Sequence, residues 1–285
     1  MEVSKIIIVG APRSGTNMLR DILTSFDDIA TWPCDEINYI WRHGNILYPS
    51  DEIPAMLAKP EIIDFINKSF LDISKRYNSN IIVEKTCANS LRLPFVDAVL
   101  PDAKYIFIHR DGIDATGSAK KRWTAKLDIH YIFAKVRFVP LTDIPYYGVR
   151  YLWGKVYQFF SREKRLAFWG PVLKDMSVIL QSHNLNEVCA LQWQHCVEKS
   201  EEAFSRIPSD RVIRISYEDF VLKPKQNLSS IMQFIGKDVM PEEIAIAVKD
   251  VFPQSVGKGR KALSEQEVKN LELLVGKTLK RYDYL

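Results

Sequence analysis

The amino-acid sequence predicts an α/β fold of three layers, with a central, mostly parallel sheet flanked by helices on both faces. Three observations lead there. Short β-branched apolar runs alternate with stretches of helical spacing, the first run ends in a glycine-rich turn that opens a helix, and no repeat or low-complexity tract breaks the pattern. Residues 5–9 are continuously apolar after Lys5 and end at Gly10, as a strand buried on both faces requires. Residues 17–26 place Met18, Leu19, Ile22, Leu23 and Phe26 on one helical face, and residues 29–32 suggest a second strand. Residues 81–83 and 105–108 are two further short strands, separated by a helix over about 90–100 and a turn at Pro101-Asp102. A helix is expected over 111–121, a strand over 212–215 and a helix near 226–235. A chain of 285 residues can bury its core as one domain, so a single domain over 1–285 is expected, with an insertion at about 123–184.

Composition sets bounds without naming a chemistry. Hydrophobic residues make up 47% and charged residues 26%, both ordinary for a globular chain, and a net charge of +4 does not point to a general nucleic-acid binder. Cys34, Cys87, Cys189 and Cys196 include no C-x-x-C pair, so neither a disulfide scaffold nor a zinc site is expected. The first residues run directly into an apolar strand without a signal-like pattern, and no stretch of about eighteen apolar residues occurs. The expected location is therefore cytoplasmic, with no transmembrane segment.

The strongest local signal is Gly10-Ala11-Pro12-Arg13-Ser14-Gly15-Thr16-Asn17 at the first strand-to-helix junction. Backbone N–H groups and a helix N-terminus converge on an anion at such a junction. The Gly10-to-Gly15 spacing is that of a nucleotide phosphate loop, so the fold is expected to be P-loop-like. Yet Thr16 stands where such a loop carries its lysine, and Asn17 where it carries the Mg²⁺-binding hydroxyl. A kinase built this way would lack its phosphate cation and its metal ligand. The loop suits a phosphate-bearing ligand that needs neither, with Arg13 supplying the charge.

Pro12-Arg13-Ser14-Gly15-Thr16 resembles the 5′-phosphosulfate loop of sulfotransferases that use 3′-phosphoadenosine-5′-phosphosulfate (PAPS), in their protein-tyrosine, carbohydrate and bacterial branches. Residues 105–112, Tyr-Ile-Phe-Ile-His-Arg-Asp-Gly, followed by Ser118, resemble the strand, arginine and serine that bind the 3′-phosphate in that family. Residues 212–220 are similar to its strand followed by Tyr217-Glu218-Asp219. Gly257-Lys258-Gly259-Arg260-Lys261 is similar to the late basic loop that closes over the nucleotide. The resemblance spans most of the chain outside 123–184. It implies that Arg13, Ser14, Gly15, Thr16 and Asn17 hold the phosphosulfate. Arg110 and Ser118 would hold the 3′-phosphate, with Tyr217, Lys258 and Arg260 lining the nucleotide, and replacing Arg110 would mainly weaken PAPS binding.

Sulfuryl transfer needs a base for the acceptor proton and positive charge where the bridging oxygen gains electrons. The glutamate-using branches imply that the base is Glu36, 23 residues after Arg13, with its neighbour Asp35 as a rival. His43 and His109 are further candidates, although His109 is expected to point into the sheet packing. Lys85, in Glu84-Lys85-Thr86 at a strand end, resembles the family lysine that approaches the sulfuryl group. No metal is expected. Between residues 119 and 169, eleven Lys/Arg face three Asp/Glu, and thirteen of the 32 Phe, Trp and Tyr residues lie there. This mixture suits a lid over a hydroxyl acceptor such as an anionic glycan or lipid-linked sugar, or contact with a membrane surface. No motif for nucleic acid accompanies it. The alternatives are a PAPS-binding module without catalysis and a nucleotide-dependent kinase.

Overall fold

The computed structural model describes residues 3–123, 137–149 and 169–285. Five strands form one sheet: β1 (Ser4–Val9), β2 (Ile29–Ala30), β3 (Ile81–Lys85), β4 (Lys104–His109) and β5 (Val212–Ser216). Their order is β2-β3-β1-β4-β5, and every neighbouring pair is parallel. The chain leaves β1, runs out to the β2 edge and returns through β3. It then crosses to β4 on the other side, so the strand order reverses at β1. Open α/β sheets bind ligands at the carboxyl ends of the strands beside such a point.

Alternation along each strand divides the core in two. Ile7 and Val9 of β1, with Tyr105 and Phe107 of β4, face helices α3 (Pro60–Tyr77), α4 (Leu93–Val99), α5 (Gly112–Trp123), α7 (Leu185–Phe204) and α12 (Glu265–Arg281). Ile6 and Ile8, with Ile106 and Ile108, face α1 (Thr16–Leu23), α8 (Tyr217–Leu222), α9 (Pro224–Ile235) and α10 (Pro241–Ala247). The central strands are buried on both faces, which is why they read as unbroken apolar runs. Short helices α2 (Asn38–Trp41), α6 (Met176–Ser182) and α11 (Lys258–Lys261) complete the layers.

Two elements differ from the sequence expectation. The helix expected over 90–100 is split into a 3₁₀ turn at Cys87–Leu91 and then α4, with Pro94 in the first turn of α4, where its missing N–H costs nothing. The strand expected over 29–32 is only Ile29–Ala30, because Pro33 cannot donate to a ladder and the chain turns there toward β3. The insertion expected at 123–184 lies partly outside the described residues. Within it, Leu173 and Met176 are buried in the main core, and the backbone of Val172 accepts from the N–H of Asp51 (2.7 Å). No helix among the described residues is long and apolar enough to cross a membrane.

Candidate active site

The β1–α1 turn starts at Gly10, where a Cβ would lie 2.5 Å from the carbonyl oxygen of Ile108. Arg13 holds a left-handed backbone (φ 71°), as does Gly15 (φ 92°), and a Cβ at Gly15 would meet the Tyr217 ring at 2.5 Å. A non-glycine residue in this region costs on the order of 1–3 kcal/mol and typically marks a working loop. Among the described residues no side chain caps the N-terminus of α1, and the fully buried Ser14 hydroxyl has no hydrogen-bond partner there. Unspent donors at a helix N-terminus are the chemistry an anionic group requires.

Arg13 Nε donates to Ser118 Oγ (2.9 Å), bringing together two residues 105 positions apart. Burial, then the nearby guanidinium groups of Arg122 and Arg110, pull the Arg13 pKa down, although an arginine stays charged. Arg122 lies four residues beyond Ser118 on α5, a position the sequence reading did not single out.

Arg110 is buried and heavily engaged. Its Nε donates to Asp114 Oδ2 (2.9 Å), Nη1 to the Arg13 carbonyl (3.0 Å) and Nη2 to the Ser255 carbonyl (2.6 Å) as well as to Asp114. The guanidinium also stacks over Tyr217, 4.3 Å from the ring centroid. Four of its five N–H donors are thus spent on joining the phosphate loop, α5 and the segment before α11. Asp114 further accepts from the backbone N–H groups of Gly259 and Arg260. Arg260 is paired with Asp111 (3.2 Å) and Glu272 (2.6 Å), whereas Lys258 is exposed. Asp114 escaped the sequence reading, although its i,i+4 relation to Arg110 was a readable signal.

The other half of the site lies at the end of β3. Register pairs Ile8 with Lys85, so Lys85 emerges at the edge where the loop begins. Lys85 Nζ bridges Asp35 Oδ1 and Glu36 Oε1, each at 3.1 Å, and its side chain is 2% exposed. Burial would lower its pKa, but Glu36 and Asp35 outweigh burial and hold it above the usual lysine range. Asp35 also accepts from Arg20 of α1 (2.9 Å). Lys85 and Arg20 together overcome its burial and hold its carboxyl well below the usual range. Glu36 Oε1 additionally accepts the backbone N–H of Cys87 (3.3 Å).

The two histidine candidates lie elsewhere. His43 Nδ1 pairs with buried Asp143 (2.8 Å) and stacks on Phe65, and His109 contacts the Tyr284 hydroxyl (2.9 Å). Burial pushes His109 down to about 4. Among the described residues no group of His, Cys, Asp and Glu is arranged to hold a metal ion.

Behind Lys85 runs a buried polar chain. Glu84 is 1% exposed and accepts from the Thr86 hydroxyl (2.5 Å) and Asn89 Nδ2 (2.8 Å), and burial pushes its carboxyl up to about 7. Arg92 donates to Asn89 and Asp51, and Asp51 also receives Arg42 (3.0 Å). Sequence reading missed this chain, because nothing local marks a polar residue as buried.

Among solved structures, the sulfotransferase domain from the curacin biosynthetic pathway superposes with a TM-score of 0.55 at 14% identity, covering 97% of this chain and 99% of that one. Sulfotransferase STF9 from Mycobacterium avium gives 0.54 at 13% identity, covering 100% and 78%. Mouse sulfotransferase SULT7A1 complexed with PAP (3′-phosphoadenosine-5′-phosphate) gives 0.51 at 14% identity, covering 97% and 85%. At such identities these likenesses speak for the fold. No curated protein sequence matches the chain. The family model of the sulfotransferase domain matches residues 3–270, nearly the whole length, and the chain belongs to that family.

Proposed function

We propose that this protein transfers a sulfuryl group from PAPS to an acceptor hydroxyl, with Glu36 as the base and Lys85 as the cation at the transferring group. The carrying observation is the meeting, at one sheet edge, of two half-sites. One is an α1 N-terminus that, among the described residues, has no side-chain cap and holds the unpartnered Ser14 hydroxyl, and the other is Lys85 bridging two carboxylates. The nucleotide bound to mouse SULT7A1 adds support.

In this reading, Arg13, Ser14, Gly15, Thr16 and Asn17 hold the 5′-phosphosulfate. Arg110 and Ser118 face the 3′-phosphate, while Tyr217, Lys258 and Arg260 line the nucleotide. The acceptor oxygen attacks sulfur in line, the bond from sulfur to the 5′-phosphate oxygen breaks, and PAP leaves. Glu36 takes the acceptor proton. Lys85 spends two of its three N–H donors on Asp35 and Glu36, and the third meets the charge developing on the bridging oxygen. Asp35 is shared by Lys85 and Arg20, which hold its carboxyl well below the usual range; a role as their counter-ion supports the reading of Glu36 as the base. The acceptor class that fits the basic, aromatic 119–169 segment is a carbohydrate, lipid-linked or small-molecule alcohol.

Isothermal titration with PAP, run beside ADP with Mg²⁺, tests the reading. PAP binding that weakens in Ser118→Ala, beside weak ADP, supports it. Tight Mg²⁺-dependent ADP binding with none for PAP overturns it in favour of a kinase.

A further inference from the structure

Glu36 lies on a turn between β2 and α2, yet among the described residues four hydrogen bonds join that turn to the end of β3. Three of them are Lys85 to Asp35, Lys85 to Glu36, and the Cys87 N–H to Glu36. The fourth differs in kind: the backbone N–H of Ile37 donates to the Thr86 hydroxyl oxygen (3.2 Å). The hydroxyl proton is directed to Glu84, which leaves a lone pair of that oxygen toward the Ile37 N–H.

That direction is set by a one-way chain of donors. A guanidinium only donates, so Arg92 Nε (2.9 Å) turns the Asn89 carbonyl toward itself and leaves the Asn89 amide nitrogen for Glu84 Oε2. With Glu84 ionised, the second oxygen of its carboxylate accepts a hydrogen bond from the Thr86 hydroxyl. Every member is buried, with Glu84 1% exposed and Thr86, Asn89 and Arg92 at 0%. The far end is anchored as well. Arg92 reaches Asp51, which is pinned by Arg42 and by the backbone N–H of Val172 (2.8 Å). Buried, hydrogen-bonded side chains of this kind hold one another in place and orient what they end on.

We infer that Thr86 is a positioning residue: its hydroxyl, oriented by buried Glu84, fixes the backbone at Ile37 and thereby aims the adjoining Glu36 carboxylate at the acceptor. This rests on the reading of Glu36 as base. Catalytic groups lose efficiency steeply with small displacements, so the contribution belongs to turnover rather than to donor binding.

Thr86→Val keeps the shape and removes the hydroxyl, and Thr86→Ser keeps the hydroxyl. Turnover of ³⁵S-labelled PAPS is measured with water and with p-nitrophenol as acceptors. PAP affinity and amide exchange at Ile37 are measured alongside. Thr86→Val is expected to lower kcat about 100-fold, with the KM for PAPS and the Kd for PAP within about twofold of the parent. Ile37 is expected to lose protection, and Thr86→Ser to restore both turnover and protection. In a Glu36→Gln background, Thr86→Val is expected to add nothing, since it acts through Glu36. Thr86→Ala carries the same comparison should the valine variant not fold. Unchanged kcat or unchanged Ile37 protection in Thr86→Val, while Glu36→Gln is impaired, overturns the positioning role alone. Normal turnover in Glu36→Gln overturns the base assignment and this inference with it.

Discussion

Asp35 and Glu36 are chain neighbours with different surroundings. Asp35 accepts from Lys85 and from Arg20, and Glu36 accepts from Lys85 and from the backbone N–H of Cys87. Glu36→Gln is expected to lower kcat by roughly 10²–10⁴-fold while leaving PAP affinity unchanged, as single-turnover kinetics beside titration will read. Glu84 carries a pH signature of opposite sign to an ordinary paired carboxylate. Burial lifts its carboxyl from 4.5 to about 7. Between those values the unfolded chain has released the proton and the folded chain retains it, so stability falls as pH rises through this window. Melting temperatures taken across pH 4.5 to 7 should show the parent losing ground steadily against Glu84→Gln, which cannot titrate. A pH-independent difference would refute this account. Glu36 and Lys85 were singled out in the sequence by their resemblance to the base and the lysine of the sulfotransferase family, Lys85 at the end of a short strand and Glu36 shortly after another. Thr86, Asp114 and Arg20 were not, since their importance comes from partners far away in the chain.

At the scale of elements, the contact between α5 and α11 decides how the late basic loop sits. A Cβ on Gly117 would fall 2.0 Å from the Gly259 carbonyl oxygen, and one on Gly259 would fall 1.8 Å from the Asp114 carbonyl oxygen. The two backbones touch, and Asp114 joins them by accepting the N–H groups of Gly259 and Arg260. Helix propensity alone favours alanine over an interior glycine by about 1 kcal/mol. Here the clash governs, so Gly117→Ala is expected to destabilise by about 1–3 kcal/mol and to weaken PAP binding as α11 lifts away. Denaturant unfolding and titration of that variant check both. The basic loop itself could be read from its glycines. Its seat on α5 could not, because the contact joins residues more than a hundred positions apart. Two of the helices against the main core, α7 and α12, did carry readable start signals, the capping boxes Asn184…Glu187 and Ser264…Glu267.

For the whole molecule, one sheet shared by both cores makes the fold a cooperative unit. Far-UV circular dichroism and tryptophan fluorescence are therefore expected to report coincident unfolding transitions, and separated ones would argue for independent parts. PAP at about 100 times its Kd should add about 2.7 kcal/mol of stability by mass action. Because Arg110 joins the loop, α5 and the segment at Ser255, Arg110→Ala should lower the melting temperature even without PAP, besides removing the PAP-induced rise. This broadens the effect that the sequence alone assigned to that residue. By itself the sequence determined the alternation of strands and helices, the phosphate loop at the first junction, and an arginine and a lysine at strand ends. Those are local signals, carried by β-branched runs, glycines and the residues next to them. Tertiary structure decided the rest: Lys85 between Asp35 and Glu36, Ser118 beside Arg13, and Thr86 beneath Ile37. These pairings depend on parallel register, which sets Ile8 against Lys85 and Ile106, and register is a property of the assembled sheet that no short stretch of chain encodes.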